Sequence, residues 1–257
     1  MPTPLVAVQL AMLICTLGAV VVLALSWHKK LAGWVNFLIT LSACAFLGWA
    51  VYATLAHGPG ESVRFDHIHF LGSVLRFSLD GLGAVFLALV AFIAPLSAFY
   101  SIAYMDHYKD NHVARYYPWF LLFIAGMIGL ITVTDTMVFF CVFWQIMTIP
   151  SFFLIRFEYR NRAAVRAANK YLLIMEIACL CVIDGSAVLV YTGTVPEHIA
   201  GLPRFDFDTL REQIISQGTH PHALFPALAL MLVGFGIKAG IWPFGLAWLP
   251  DAHPAAP

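Results

Sequence analysis

From Pro4 to Trp27 the chain runs without a charged side chain, and His28, Lys29 and Lys30 then close the run. A helix of roughly 20 apolar residues crosses the hydrocarbon core of a bilayer, so this stretch is long enough to span. It has neither the basic leading segment nor the small-residue cleavage site of a secretory signal, and it reads as a retained first span.

The same pattern recurs along the chain. Leu31 to Ala56 is a second span, with Trp34, Trp49 and Tyr52 suited to the interfaces. His57 to Phe77, with Gly58, Pro59, Gly60 and Glu61 as breakers, reads as a polar loop. Gly81 to Tyr104 is a third span, opened by Asp80 and closed by Met105 and Asp106. Pro118 to Thr134 and Thr136 to Ile155 are a fourth and fifth, joined at a tight polar hinge, Asp135. Arg156 to Lys170 is the most basic loop, and Tyr171 to Val195 is a sixth span. A loop containing Pro196, Pro203, Asp206, Asp208 and Pro221 leads to a seventh, from Ala223 towards Pro250. The predicted fold is an all-α polytopic transmembrane helical bundle of about seven spans, with no short-period repeat. Residues 1–77 form an N-terminal pair of spans with its loop, and 78–257 the remainder.

Composition excludes a soluble globular domain: 61% of the 257 residues are hydrophobic and 11% charged, against about 25% charged in ordinary soluble domains. The 14 basic and 14 acidic side chains cancel, so net charge indicates no nucleic-acid partner; the partner is lipid. Cys15, Cys44, Cys141, Cys179 and Cys181 all lie inside apolar runs and form no CxxC pair. They read as small hydrophobes, not as a disulfide frame or metal site.

Cations set the expected orientation. Lys29, Lys30, Lys109, Arg115, Arg156, Arg160, Arg162, Arg166 and Lys170 fall on one side of a seven-span chain, and Arg64, Arg76, Arg204 and Arg211 on the other. The first side is then cytoplasmic, with the N-terminus outside and the C-terminus inside.

The remaining basic residue, Lys238, sits in the middle of the seventh hydrophobic segment. An ammonium there costs about 2.5–3.5 kcal/mol on insertion scales and usually marks an ion or proton path. A lysine suits proton movement because the charge around it decides whether it keeps its proton. The sixth span adds Glu176 and Asp184, of which Asp184 reads as closer to mid-depth. Gln145 lies mid-depth in the fifth span; its amide can orient water or bond across helices but cannot carry a proton as a carboxylate does. Gly234, Gly236, Gly240, Pro243 and Gly245 surround Lys238. Glycine and proline at that density predict a discontinuous helix lining protein or a water-filled cavity. The histidines lie in loops, at span ends or in the C-terminal tail, so axial ligands for a transmembrane haem are not expected. No cofactor, metal site or bond-making catalytic group is read from the sequence.

The run Gly234-Phe-Gly-Ile-Lys238-Ala-Gly-Ile-Trp-Pro243, continuing through Trp248-Leu-Pro-Asp-Ala-His253-Pro-Ala-Ala-Pro257, resembles the seventh-helix motif of the antiporter-like membrane subunits. That family comprises proton-pumping subunits of complex I, large membrane subunits of energy-converting hydrogenase and formate hydrogenlyase complexes, and multisubunit cation/proton antiporters. Asp80-Gly81-Leu82, Tyr100-Ser-Ile-Ala-Tyr-Met105 and the Phe-Trp-x-x-Met-x-x-Pro pattern from Phe143 to Pro150 agree. The likeness runs from about Phe77 to the end, and its Lys-Ala-Gly and His-Pro-Ala-Ala-Pro wording is similar to the hydrogenase-associated branch.

The resemblance implies two inverted five-helix units, each with a broken helix, and a hydrated row of Lys, Glu and His at the membrane midplane. Lys238 matches the broken-helix lysine, Gly240 and Pro243 the break, and Lys170 the lysine opening the sixth helix; His253 lies in the matching tail. Where the family has Glu after the fifth-helix Trp, this chain has Gln145, and the histidine common after Pro243 is replaced by Phe-Gly-Leu-Ala. Pro257 falls where the family continues into an eighth helix, so the implied fold is an incomplete inverted repeat: a split reading frame, a truncated chain or a subunit completed by another chain.

The expected function is a proton-translocating membrane subunit, or its N-terminal part, of a redox-driven complex resembling a hydrogenase or NADH-quinone oxidoreductase. The alternatives are a cation/proton antiporter module and a non-conducting structural subunit. Expected partners are other membrane subunits of the complex, the lipid of the inner (plasma) membrane, and protons or Na+.

Overall fold

The structure, a computed structural model, describes residues 2–60, 63–108, 112–192, 204–217 and 221–257. Glu61, Lys109, Pro196, Pro203 and the Val195 end of the expected sixth span lie outside them. The described helices are α1 (Pro4–Ala24), α2 (Lys29–His57), α3 (Gly81–Tyr104), α4 (Tyr117–Thr132), α5 (Val138–Ile155), α6 (Arg162–Thr192), α7 (Phe207–Gln217), α8 (Pro221–Ala239) and α9 (Leu249–Ala255). Six of them, α1 to α6, are long and apolar enough to cross a membrane; the seventh hydrophobic segment supplies a shorter apolar helix, Leu224–Ala239.

Packing follows residue size. Helices α1 and α2, which pack on each other and on α3 and α4, carry Ala7, Ala11, Cys15, Ala19, Ala32, Ala43 and Cys44, all buried. Lipid removes the hydrophobic drive between helices, so small residues that permit close backbone approach hold the bundle. Larger side chains such as Leu17, Leu38, Phe92 and Leu96 are exposed on the outer faces, where hydrocarbon solvates them.

Three connections differ from the sequence expectation. The segment expected to be a loop through Phe77 holds an antiparallel hairpin, β1 (Val63–Phe70) and β2 (Ser73–Phe77). Its turn, Leu71-Gly72, has positive φ at both residues, the geometry that matches strand twist in a two-residue hairpin. The basic stretch expected to be a loop through Lys170 is helical from Arg162 onward. The proline-marked loop before α8 contains the short amphipathic α7, whose first free N–H, on Asp208, is taken by the Asp206 carboxylate at 3.1 Å.

The hairpin, the α4–α5 connection and α7 meet at one end of the bundle. Arg76 on β2 donates to Asp206 Oδ1 and Asp208 Oδ2, each at 3.0 Å, and Thr134 Oγ1 donates to Asp206 Oδ2 at 2.6 Å. Asp135, buried, accepts from the N–H groups of Met137 (3.1 Å) and Phe139 (2.7 Å), capping α5. At the opposite end Lys29 Nζ donates to the Tyr108 carbonyl at 2.9 Å, and the Arg115 guanidinium lies 4.0 Å from the Tyr159 ring centroid. Arg76 thus lies at the end of the bundle opposite to Lys29 and Arg115.

Candidate functional site

Side-chain bonds between α5 and α6 fix how these antiparallel helices face each other. Ser151 Oγ and Tyr171 OH are 2.6 Å apart, Gln145 Nε2 donates to Glu176 Oε2 at 2.7 Å, Cys141 and Cys179 Sγ are 3.8 Å apart, and Ser186 Oγ donates to the Thr136 carbonyl at 3.1 Å. Glu176 is thus level with the middle of α5, and Asp184 with its first turn. The depth order expected from sequence is reversed. Helix α6 has 31 residues, more than a bilayer needs, so counting inward from Tyr171 misplaced the midplane.

Helix α8 enters beside α6 and stops at this level. Gly234 faces the α6 backbone, where an added Cβ would lie 2.6 Å from the Ala178 carbonyl oxygen, so any larger residue would push the helices apart. The stop is a Schellman motif: Gly240 is left-handed at φ +68°, its N–H bonds the Ile237 carbonyl at 3.2 Å, and Ile241 N–H bonds Gly236 at 3.0 Å. Trp248 Nε1 adds a donor to the Ile237 carbonyl at 2.9 Å. The chain then passes Pro243 and a single 3-10 turn, Phe244–Ala247, before resuming as α9. The predicted discontinuity is present, and it leaves Lys238 in the last turn of α8, where the negative end of the helix dipole favours a cation.

Lys238 Nζ donates to Thr148 Oγ1 at 2.9 Å and lies 4.7 Å from the Trp144 ring centroid. Thr148 and Trp144 are fully buried, and among the described residues no carboxylate lies within ion-pairing distance of Lys238. A hydroxyl and a ring face stabilise the ammonium less than a carboxylate would. Thr148 is ten residues into α5, about 15 Å along it, so the break sits near mid-depth.

The structure joins these groups into a row. Gln145, Thr148 and Ser151 recur every third residue on one face of α5; Glu176 bonds the first, Lys238 the second and Tyr171 the third. Ser151 Oγ also donates to the Thr148 carbonyl at 2.8 Å. Thr148, Ser151 and Tyr171 were not singled out from the sequence; three polar residues at i, i+3 and i+6 in an otherwise apolar helix were the available signal.

Other expected site residues lie apart. Lys170 makes an exposed ion pair with Asp251 on α9, 2.8 Å, at the rim of an open cavity of about 450 Å³ also lined by Glu158, Asn161, Arg166 and Pro254. His253 is exposed, its ring edge-on to Trp248 at 6.3 Å. Asp184 is exposed on the outer face of α6 and has no hydrogen bond or ion pair among the described residues.

Residues 134–257 match the family model described as NADH:quinone oxidoreductase/Mrp antiporter, TM, and residues 68–117 that of NADH-Ubiquinone oxidoreductase (complex I), chain 5 N-terminus. The Na(+)/H(+) antiporter subunit A1 of Staphylococcus aureus is 28% identical over 85% of this chain and 24% of its own length. The Mrp complex of Dietzia sp. DQ12-45-1b superposes with a TM-score of 0.74 at 25% identity, covering 97% of this chain and 25% of that one. A chain of the membrane-bound sulfane sulfur reductase, an archaeal respiratory membrane complex, gives the same score at 21% identity, covering 97% of this chain and 48% of that one. This chain spans about a quarter of the length of the curated relatives it matches. The two family models together take in more than half of the chain, and the chain belongs to the antiporter-like membrane subunits.

Proposed function

We propose that this chain is a proton-translocating part of a multisubunit membrane complex, with Lys238 as the group that accepts and releases the proton. The observation that carries the reading is the placement of Lys238: at the broken end of α8, near mid-depth, held by a hydroxyl and an aromatic face in place of a carboxylate. In the proposed path Glu176 supplies the counter-charge, and Gln145, bonded to it, takes the position at which the family carries Glu. The carboxylate has moved from α5 to the facing helix. Thr148 holds the Lys238 proton, Ser151 and Tyr171 continue the row, and Lys170 with Asp251 stands at the open cavity beyond. With the N-terminus outside, as the cation distribution favours, that cavity opens to the cytoplasm.

Expressed in the assembled complex, Glu176→Gln abolishes proton uptake to the extent that Lys238→Ala does, and Asp184→Asn leaves it unchanged. Uptake that survives Glu176→Gln overturns the assignment of the counter-charge.

Two settings remain for such a module. The antiporter names of its relatives favour coupling to Na+, and the likeness to a respiratory complex favours a redox-driven assembly such as a hydrogenase or quinone reductase. Proton uptake that requires an opposing Na+ gradient supports the first; uptake driven by an electron donor in the absence of Na+ supports the second.

A further inference from the structure

One close contact between α5 and α6 has no part in the proton row. Cys141 Sγ and Cys179 Sγ lie 3.8 Å apart, both thiols free. Cys141 is one turn before Gln145 on α5 and Cys179 one turn after Glu176 on α6, so the sulfur pair spans the same helix pair as the Gln145–Glu176 hydrogen bond. Cys179 is buried and Cys141 is partly buried beside it. Around them pack Trp144, Ala178, Val182 and, immediately before Lys238 on α8, Ile237. A change in the spacing of the two sulfurs therefore acts on the side chains that seat Lys238 and Glu176.

We infer that Cys141 and Cys179 are a dithiol site that takes a two-electron oxidation to an intramembrane disulfide, and that this crosslink locks the α5–α6 contact and stops proton movement. The oxidant is a membrane-permeant peroxide or azo compound. With diamide, the thiolate of one cysteine adds to the N=N bond, and the second displaces the nitrogen from the first sulfur. Two thiols become one disulfide, and the azo compound leaves as the hydrazine carrying both protons. The sulfurs close from 3.8 Å to about 2.05 Å, tethering the helices one turn from the Gln145–Glu176 bond. The effect on proton movement rests on the function proposed above; the crosslink itself does not.

The test uses a Cys15→Ala, Cys44→Ala, Cys181→Ala background in the assembled complex, so that only the pair remains. Diamide is added to membrane vesicles, thiols are counted by alkylation after denaturation, and proton uptake is followed in parallel. The expected result is loss of both alkylatable thiols together with an uptake decrease of at least fivefold, reversed by dithiothreitol and absent when Cys141→Ser is added. Two thiols persisting after diamide overturns the site. A crosslink that forms while uptake continues overturns the lock. Uptake absent even before oxidation contradicts the proposed function and leaves thiol pairing to decide the site alone.

Discussion

Gln145 and Glu176 are joined by a 2.7 Å hydrogen bond, amide to carboxylate, across the contact between α5 and α6. The bond places one carboxyl group between two helices, and which helix carries it matters less than its distance from Lys238. The exchange Gln145→Glu with Glu176→Gln is therefore expected to restore at least a third of the proton uptake that Glu176→Gln alone removes. Initial rates in inverted membrane vesicles check this, and a double variant as inactive as Glu176→Gln alone would show that the carboxylate is needed on α6.

Thr148 is buried and is the hydrogen-bond acceptor for Lys238. Thr148→Val keeps the shape and removes the acceptor, which is worth about 1.5–3 kcal/mol when the donor is charged. Uptake is expected to fall about tenfold or more, with Thr148→Ser near wild type and folded yield unchanged in both.

Gly240 takes a left-handed conformation at the end of α8. Any L side chain there costs about 1–2 kcal/mol, so Gly240→Ala is expected to lower the melting temperature of the detergent-solubilised protein by several degrees. Ala239→Gly, one position earlier and in helical conformation, serves as the control for composition.

At the hairpin end, Arg76 neutralises the buried Asp206. Removing one partner of such a pair leaves a buried charge uncompensated, and Arg76→Ala is expected to cost about 3 kcal/mol. Faster proteolysis within 63–77 and 204–217 is the accompanying readout, with α1 and α2 unaffected.

Burial raises the pKa of Asp135 above its ordinary 3.8, against the opposing pull of the Ser73 hydroxyl and of the N–H groups of Phe139 and Met137. A carboxyl raised on folding contributes stability that is full below its unfolded value and lost as pH rises through its folded value. Asp135→Asn keeps a side-chain oxygen for the cap and removes the titration. As pH rises above about 4, the ordinary carboxyl value, the wild type is expected to lose stability relative to Asp135→Asn, read as diverging melting temperatures.

The membrane class, the first six spans and the break around Lys238 were legible in the sequence, because uncharged length, glycine density and an isolated lysine each carry their own physical cost in lipid. Depth was not. Glu176 and Asp184 both lie inside a 31-residue helix, and which of its residues occupy the midplane is set by α5, through Ser186 and Thr136 at one end and Ser151 and Tyr171 at the other. The hairpin was hidden for another reason. The apolar alternation of Val63 and Phe65 breaks at an irregularity between Phe65 and His69, and the Leu71-Gly72 turn lacks the usual Asn or Asp. Helix α7 was obscured by its charges and by the prolines on either side of it in the sequence; its signal was Asp206, placed to cap the first turn. The row along α5 required the partners on α6 and α8 before the spacing of Gln145, Thr148 and Ser151 gained a meaning.

The most direct test is the rate of proton uptake into sealed vesicles carrying the assembled complex, wild type against Lys238→Ala, at matched protein content and with the driving reaction running. The expected result is uptake in the wild type and none above background in Lys238→Ala; equal uptake in the two would contradict the assignment of Lys238 as the proton-exchanging group.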